Sequence, residues 1–154
     1  MVQAFRIVKE KWAGEALSGE GARLAGGRFN SVGSAVVYAS ASLALAELEI
    51  LVNLPTDRLL GSYVAFEIRF PEEAVDVLDA DDLPGDWRRD PAPRDTKVFG
   101  DAWTRSKRSL ALRVPSAVVP SEHNYLLDPA HPDAEKIDVQ GPFGPEIDPR
   151  LKDQ

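Results

Sequence analysis

The chain has 154 residues, a hydrophobic fraction of 44% and a charged fraction of 28%, which indicates a globular domain rather than a disordered segment. It contains no cysteine, which excludes disulfides, thiolate nucleophiles and cysteine-bound zinc. The formal net charge is −7, so broad contact with DNA or RNA, which requires clustered cations, is not expected. The one basic stretch, at 105–108, is interpreted as the solvated last turn of a helix.

The sequence also predicts where the protein resides. The first residues lack the apolar segment of a signal peptide, and no apolar run approaches the ~18 residues that span a bilayer. We therefore expect a soluble, cytoplasmic protein that has no membrane partner. The two histidines, His123 and His131, are too few for a histidine-rich metal site, and we expect no metal cofactor.

The first elements along the chain are two strands separated by a loop. Residues 5–8 predict a short strand and the apolar run 35–38 predicts a buried one. The glycine-rich stretch 19–27 between them predicts a loop.

A helix is predicted next, over 40–54, because its interior is rich in alanine, leucine and glutamate. Ser40 or Ser42 is expected to cap its start, and Pro55 to end it. The side chains of this helix are apolar on almost every side, so we expect most of its faces to be buried.

The second half of the chain predicts four strands, a loop and a helix. Residues 63–70 alternate between apolar and polar side chains, which predicts a half-buried strand. A long polar loop is predicted over 79–93, and a helix over 96–108. This helix is expected to bury one side, formed by Val98, Phe99, Ala102 and Trp103. Further strands are predicted at 110–114, 124–127 and 137–139, followed by an extended tail from 141. Strands mixed with few helices, without regular βαβ alternation, predict one α+β domain over 1–154.

Three short motifs contain side chains suited to ligand binding, and each also has a structural interpretation. Gly26 and Gly27 would let the backbone approach a ligand, and the guanidinium of Arg28 matches phosphate or carboxylate; the alternative is a surface turn. Tyr38 could present its ring to a planar ligand or pack in the core. Ser116 could bind a substrate or cap a turn.

Two glutamates interrupt the apolar helix, and either could be functional. A carboxylate is costly to bury without a partner, and such groups often have functional roles. Glu47 and Glu49 point about 200° apart at ~100° per residue, so at most one is expected in a cleft. Exposure on a narrow polar strip is the alternative for each. No serine–histidine–acid pattern is evident, so we expect structural roles for His123 and His131.

Four ordered segments resemble the RES-domain family, which is named for its arginine, glutamate and serine. The resemblance extends from residue 5 to about residue 137. Its segments are GGRFN with VVY (26–30 and 36–38), LALAELEILVN (43–53), SLALRVPS (109–116) and NYLLDPAHP (124–132). Glu49, rather than Glu47, matches the family's glutamate. Phe29 stands where the family usually has tryptophan or tyrosine, and Asn53 where it has histidine.

The resemblance implies a fold similar to that of ADP-ribosyltransferases, with split, mixed β-structure around an NAD⁺ cleft. The catalytic residues that it implies are Arg28, Tyr38, Glu49 and Ser116. The NAD⁺-binding residues that it implies are Gly27, Arg28, Phe29, Asn30, Tyr38 and Ser116. Arg28 would bind the pyrophosphate, Tyr38 border the nicotinamide and Glu49 stabilise a cationic ribose, while Ser116 orients the nicotinamide amide or the ribose.

The activity implied is that of a bacterial toxin that cleaves the nicotinamide–ribose bond of NAD⁺, by hydrolysis or phosphorolysis. Its implied partner is an antitoxin of the Xre type, which covers the entrance to the active site. Two alternatives are an ADP-ribosyltransferase that modifies a protein and an inactive NAD⁺-binding module. Self-association stays open.

Overall fold

In the computed structural model, which describes residues 1–54 and 62–152, seven strands form one mixed sheet. The strands are β1 (Val2–Lys9), β2 (Val37–Ser40), β3 (Tyr63–Phe70), β4 (Val75–Val77), β5 (Ala111–Pro115), β6 (His123–Leu127) and β7 (Asp138–Phe143). Their order across the sheet is β4-β5-β6-β2-β1-β3-β7. The pair β4–β5 is parallel and the other described pairs are antiparallel. This single-sheet architecture confirms the predicted α+β class.

Three α-helices accompany the sheet within the described residues: α1 (Glu20–Ala25), α2 (Leu43–Leu51) and α3 (Arg94–Ser106). Short 3₁₀ turns are found at Glu10–Glu15, Glu72–Ala74, Ala80–Asp82, Ala134–Lys136 and Pro149–Lys152. Helix α2 packs against β1 and β2. Across the described ranges, no helix combines the length and apolar character that a bilayer crossing requires.

Hydrophobic residues are buried on both faces of the sheet. Successive residues of a strand point to opposite faces. Leu126 of β6 belongs to a cluster with Phe29 and Trp103, whereas Leu127 belongs to a second cluster with Ile68 and Phe70. Each large side chain buried in this way contributes about 1.5–3 kcal/mol. The central strands are therefore held rigidly from both sides, and residues at their ends have well-defined positions.

The prediction of a loop over 19–27 is wrong, because this stretch contains helix α1. Glu20 and Arg23 are one turn apart on the helix and form an ion pair. The hydroxyl of Ser18 accepts a hydrogen bond from the backbone N–H of Glu20 (3.1 Å) at the start of the helix. Of the glycines that suggested a loop, Gly19, Gly26 and Gly27 flank the helix and Gly21 lies within it.

Helix α2 is shorter than predicted. It covers Leu43–Leu51 rather than 40–54. Ser42 is its cap, since its hydroxyl accepts from the backbone N–H of Leu45 (3.1 Å). Ser40, the other candidate cap, instead ends β2, and Pro55, the predicted terminator, lies outside the described residues.

Helix α2 is also more exposed than predicted. Of its residues, Leu45 and Ala46 are buried, whereas Leu48 is 37% exposed and Val52, just after the helix, is 60% exposed. The expectation of burial on most faces is therefore wrong. The helix contacts the sheet along one side, and no other layer covers it within the described residues.

Helix α3 buries only part of the predicted face, since Phe99 and Trp103 pack in one core cluster but the other two residues do not. Trp103 is buried, but Val98 is 48% exposed and Ala102 is also exposed. A Cβ atom at Gly100 would lie 1.8 Å from the carbonyl oxygen of Phe29, so this face of the helix packs directly against the backbone of 26–30. The buried positions are Thr96, Gly100, Asp101, Trp103 and Thr104. Close backbone approach at Gly100, together with the packing of Trp103, determines this face.

The remaining elements agree with the predictions apart from their bounds. Strand β2 begins two residues later than predicted, and Val75–Val77 forms a short edge strand that was not predicted. The loop over 79–93 is confirmed except for one 3₁₀ turn. Beyond residue 141, β7 continues to Phe143, so the first part of the predicted tail is paired with β3.

Candidate active site

A cavity of about 860 Å³ lies between β1, β2, α2 and the loops around residues 27, 90 and 117. Among the described residues, four cationic and two acidic side chains line it: Arg6, Arg28, Arg88, Lys97, Glu49 and Asp90. This excess of positive charge stands in contrast to the net charge of −7 for the whole chain. The cavity is therefore suited to an anionic ligand.

Glu49 lies in the wall of this cavity. Its Oε1 accepts hydrogen bonds from the hydroxyl of Ser116 (2.7 Å) and from Nδ2 of Asn124 (3.0 Å). Its other oxygen, Oε2, has no hydrogen-bond partner among the described residues. Glu47 is partly buried, which raises the pKa of its carboxyl, and it is not part of the cavity wall. The structure therefore places Glu49, and not Glu47, in a cleft.

Ser116 is completely buried beneath the cavity rather than on its surface. Its hydroxyl donates to Glu49 and accepts from the backbone N–H groups of Val118 (3.1 Å) and Val119 (3.0 Å). These two donors orient the hydroxyl so that its single proton points to the carboxylate. Ser116 can therefore affect a ligand only through Glu49.

Tyr38 lines the cavity, but its hydroxyl is used within the protein. It donates to Oδ1 of Asn30 (2.6 Å) and accepts from the backbone N–H of Phe29 (3.0 Å). Burial raises the pKa of the Tyr38 phenol, which therefore stays protonated at neutral pH. The part of Tyr38 available to a ligand is its ring.

Asn30 and Phe29 shape the loop that carries Arg28. Asn30 is completely buried, and Phe29, although it borders the cavity, packs mainly against core residues such as Trp103. The Asn30 amide nitrogen donates to three backbone carbonyls, those of Ala22, Ser31 and Ser34. The polar atoms of Asn30 are therefore satisfied without a ligand.

Arg28 connects this loop to the long loop that precedes α3. Its Nη1 donates to the carbonyl oxygens of Trp87 and Arg89, both at 2.8 Å. From the same loop, Nε of Arg88 donates to the carbonyl of Ala117 (3.0 Å), beside Ser116. Lys97 of α3 donates to the carbonyl of Gly27. The long loop is thus hydrogen-bonded to Arg28 on one side of the cavity and to Ala117 on the other, and it closes part of the cavity rim.

Arg6 is a cavity residue that the sequence analysis did not identify. Its Nε donates to the carbonyl of Ala16 (2.7 Å) and its Nη1 to the carbonyl of Tyr38 (2.8 Å). Burial lowers the pKa of the Arg6 guanidinium to about 10, so it stays cationic at neutral pH. Among the described residues no carboxylate pairs with it. The available signal was an arginine among the otherwise apolar residues 5–8, which were predicted to form a strand.

Ser40 and Asn124 also line the cavity and were not identified as site residues. The hydroxyl of Ser40 donates to Oδ1 of Asn124 (2.7 Å), across 84 positions of sequence. No local pattern could have predicted this contact, because it depends on the pairing of β2 with β6.

The two histidines lie outside the cavity wall. Nδ1 of His131 accepts from the backbone N–H of Asp133 (2.9 Å), so Nε2 carries the proton and donates to the carbonyl of Lys107 (3.0 Å). At His123, partial burial is the main cause that lowers the imidazole pKa. The described ranges contain no cluster of three or more histidine, aspartate or glutamate residues that could hold a metal ion.

Residues 3–151 match the model of a known family, described as the RES domain. A curated relative from Yersinia enterocolitica, named Toxin Res, is 38% identical over 149 residues, which cover 96% of this chain and 98% of the relative. A protein of the same name from Photorhabdus laumondii is 39% identical over 132 residues, covering 86% of this chain and 85% of the relative.

Two further comparisons add to these. A Sphingobium protein named Prs ADP-ribosylating toxin is 43% identical over 138 residues, which cover 88% of this chain and 86% of the relative. Among solved structures, a chain of the M. tuberculosis MbcT–MbcA toxin–antitoxin complex superposes with a TM-score of 0.76 at 18% identity. The superposition covers 99% of this chain and 89% of that chain. At this identity, the structural likeness shows a shared fold.

Proposed function

Because this chain belongs to the RES-domain family, we propose that it is the toxin of a toxin–antitoxin pair and cleaves the nicotinamide–ribose bond of NAD⁺. The observation that carries the proposal is Glu49. Its carboxylate is held through Oε1 by Ser116 and Asn124, while Oε2, in the wall of a cationic cavity, has no hydrogen-bond partner in the part of the chain that the structure describes. The names of the curated relatives, Toxin Res and ADP-ribosylating toxin, support both parts of the proposal.

Glu49 has the central chemical role in the proposed reaction. When the bond from the ribose carbon to the nicotinamide nitrogen breaks, the electron pair leaves with neutral nicotinamide and positive charge develops on the ribose. Oε2 of Glu49 accepts hydrogen bonds from the ribose hydroxyls and stabilises that charge. A carboxylate already fixed by two donors does so without reorganising during the reaction. Nicotinamide departs without a proton, so the reaction requires no general acid.

The cationic side chains of the cavity bind the pyrophosphate of NAD⁺ in this proposal. Arg28 uses Nη1 to hold the long loop, and its remaining N–H groups are directed to phosphate oxygens. Arg6 has a buried charge that no carboxylate of the residues 1–54 and 62–152 pairs with, and a bound anion would neutralise it. Lys97 adds a third cation near Gly27.

The other residues implied by the family resemblance have supporting roles in the proposal. The ring of Tyr38 borders the nicotinamide, while its hydroxyl holds the loop around Phe29 and Asn30. Gly27 permits the close approach of that loop to Tyr38. Ser116 orients Glu49 rather than touching the substrate, since it is completely buried.

The acceptor of the ADP-ribose group distinguishes two candidate functions. With water or inorganic phosphate, an acceptor oxygen bonds to the ribose carbon, its proton passes to solvent, and NAD⁺ is depleted. With a protein side chain as acceptor, the chain is an ADP-ribosyltransferase. The name of the Sphingobium relative, which is 43% identical, favours this second function.

We also propose an antitoxin of the Xre type as the protein partner. The toxin–antitoxin complex among the structural neighbours supports an antitoxin as partner, and the Xre type comes from the family resemblance. The acidic net charge of −7 is compatible with docking of a basic protein. A coding region for a small Xre-like protein beside that of this chain would support the pairing.

The test measures nicotinamide release from NAD⁺ by the purified chain, with and without phosphate and with candidate protein acceptors. We expect release by the wild type and a loss of about 10²–10³-fold in Glu49→Gln, because the amide cannot stabilise a cationic ribose. Adenine-labelled NAD⁺ identifies the acceptor, since its label ends in free ADP-ribose with water, in ADP-ribose that carries a further phosphate on the ribose carbon with phosphate, or on protein.

Glu47→Gln is the matched control, because Glu47 lies on the same helix and does not line the cavity. It should release nicotinamide at the wild-type rate. Wild-type activity in Glu49→Gln would overturn the role of this carboxylate. Absence of release with every acceptor would favour the inactive NAD⁺-binding module.

A further inference from the structure

Two hydrogen bonds connect the end of β2 to the carboxylate of Glu49. The hydroxyl of Ser40 donates to Oδ1 of Asn124 (2.7 Å), and Nδ2 of Asn124 donates to Oε1 of Glu49 (3.0 Å). Ser40 is 5% exposed and Asn124 is partly buried. Water therefore competes little for the first of these bonds.

The direction of these hydrogen bonds follows from the chemistry of the three side chains. An ionised carboxylate only accepts, so Asn124 must turn Nδ2 toward Glu49. Its Oδ1 then faces Ser40, whose hydroxyl can donate to it. With the amide reversed, two acceptor oxygens would face each other at Glu49. The carboxylate therefore selects this orientation of Asn124, and the hydroxyl of Ser40 stabilises it by donating to Oδ1.

The backbone holds Ser40 and Asn124 in place. They are directly paired residues in the ladder between β2 and β6, and the adjacent N–H of Ala41 donates to the carbonyl of His123 (3.0 Å). Two residues after Ser40, Ser42 caps the helix that carries Glu49. The three side chains thus connect β2, β6 and α2 at the wall of the cavity.

We propose that Ser40 and Asn124 are positioning residues that hold Glu49 in one rotamer, with Oε2 directed to the ribose of the substrate. The proposal rests on the NAD⁺ cleavage proposed above. Neither residue has to touch the substrate for this role. Because a misplaced carboxylate weakens the transition state more than substrate binding, their loss should lower kcat and leave KM nearly unchanged.

The experiment compares kcat and KM for NAD⁺ in the purified full chain and in three variants. Asn124→Asp replaces the donor by a second carboxylate and should lower kcat by about 100-fold, as misplacement of a reacting group can do. Ser40→Ala leaves the donor on Asn124 and should cause a smaller loss. Ser40→Thr retains the hydroxyl and should restore the wild-type kcat.

His123→Gln is the control on β6, since His123 precedes Asn124 and does not line the cavity. Thermal unfolding of every variant separates loss of positioning from loss of fold, and the Ser40→Ala and Ser40→Thr pair remains decisive where Asn124→Asp does not fold. Wild-type kcat in both Asn124→Asp and Ser40→Ala would overturn the proposal. A decrease that Ser40→Thr does not reverse would do the same.

A second readout separates this proposal from the proposed function. If the wild type neither releases nicotinamide nor transfers ADP-ribose, NAD⁺ cleavage fails, and crystal structures of the wild type and Asn124→Asp then test the positioning role. A rotated Glu49 side chain in the variant supports the role. The same rotamer in both structures overturns it.

Discussion

The hydroxyl of Tyr38 connects the wall of the cavity to the loop that carries Arg28. It is hydrogen-bonded to Phe29 and Asn30, and it lies only 2.6 Å from the position that a Cβ atom on Gly27 would take. Leaving such a buried polar group without a partner costs about 1–3 kcal/mol. The loop therefore depends on a tyrosine at 38 and a glycine at 27 together.

The substitution Gly27→Ala should destabilise the protein and impair the cavity. Its Cβ would lie 2.6 Å from the hydroxyl of Tyr38 and 2.7 Å from Oδ1 of Asn30, and neither atom is free to move. Overpacking of this kind costs about 1–3 kcal/mol, measurable by chemical unfolding. NAD⁺ turnover should fall as well, because Arg28 follows directly.

Gly14→Ala is the control for this prediction. Nothing lies within 4 Å of a Cβ atom built at Gly14, so its free energy of unfolding should remain near the wild-type value. An unchanged free energy of unfolding in Gly27→Ala would show that the loop can move away from Tyr38.

At the scale of elements, helix α2 decides which glutamate reaches the cavity. The helix packs on β1 and β2 through Leu45 and Ala46, and this contact sets its rotation about its own axis. Glu49 then faces the ends of β5 and β6, while Glu47 points elsewhere. Since α2 has nine residues, its stability depends strongly on its cap.

We expect Ser42→Ala to lower the free energy of unfolding by about 1 kcal/mol, the usual value of an N-cap hydroxyl. The backbone N–H of Leu45 loses its partner in this variant. For a domain of this size, the change corresponds to a decrease in Tm of about 2–4 °C. Thermal and chemical unfolding measure it.

Ser42→Asp tests whether the cap is the cause, because aspartate is an equally good N-cap residue and should retain the stability. Ser121→Ala, on an exposed turn, should also unfold like the wild type. Equal stability of Ser42→Ala and wild type would mean that packing on the sheet, rather than the cap, holds the start of α2.

At the scale of the whole molecule, charge is distributed unevenly. The net charge of the chain is −7, but four cations and two carboxylates from the described residues line the cavity. The net negative charge of the chain repels an anion in solvent, whereas the excess of cations in the cavity attracts it. This distribution favours selective entry of anionic ligands.

Binding of ADP-ribose should therefore weaken several-fold between 0.05 and about 0.5 M salt, because the screening length falls from ~10 Å near 0.1 M to a few ångström. Isothermal titration calorimetry measures the dissociation constant across this range. Nicotinamide, which is neutral, should bind with little salt dependence.

One lysine variant and one arginine variant, both on helix α3, test whether the salt dependence comes from the charge of the cavity. Lys97→Gln removes a cation from the cavity and should reduce the salt dependence, whereas Arg105→Gln, exposed in the last turn of the helix, should not. Identical salt dependence in the two variants would mean that the charge of the cavity does not guide binding.

The sequence by itself determined the elements that depend on local patterns. Alternation over 63–70 predicted β3 with its observed bounds, and the composition before Pro55 predicted α2. The ordered segments that resemble the RES family identified the family and favoured Glu49 over Glu47. Such signals are readable because strand alternation, helix composition and motif order involve residues that are near each other in sequence.

Only the tertiary structure decided how the candidate site is assembled. Ser116 is buried below Glu49, Asn124 reaches the carboxylate across the β2–β6 pairing, and Arg6 enters the cavity from β1. The buried face of α3 follows from the contact between Gly100 and the backbone of Phe29. These contacts join residues far apart in sequence. Strand register and helix rotation, which depend on packing across the whole core, bring them together.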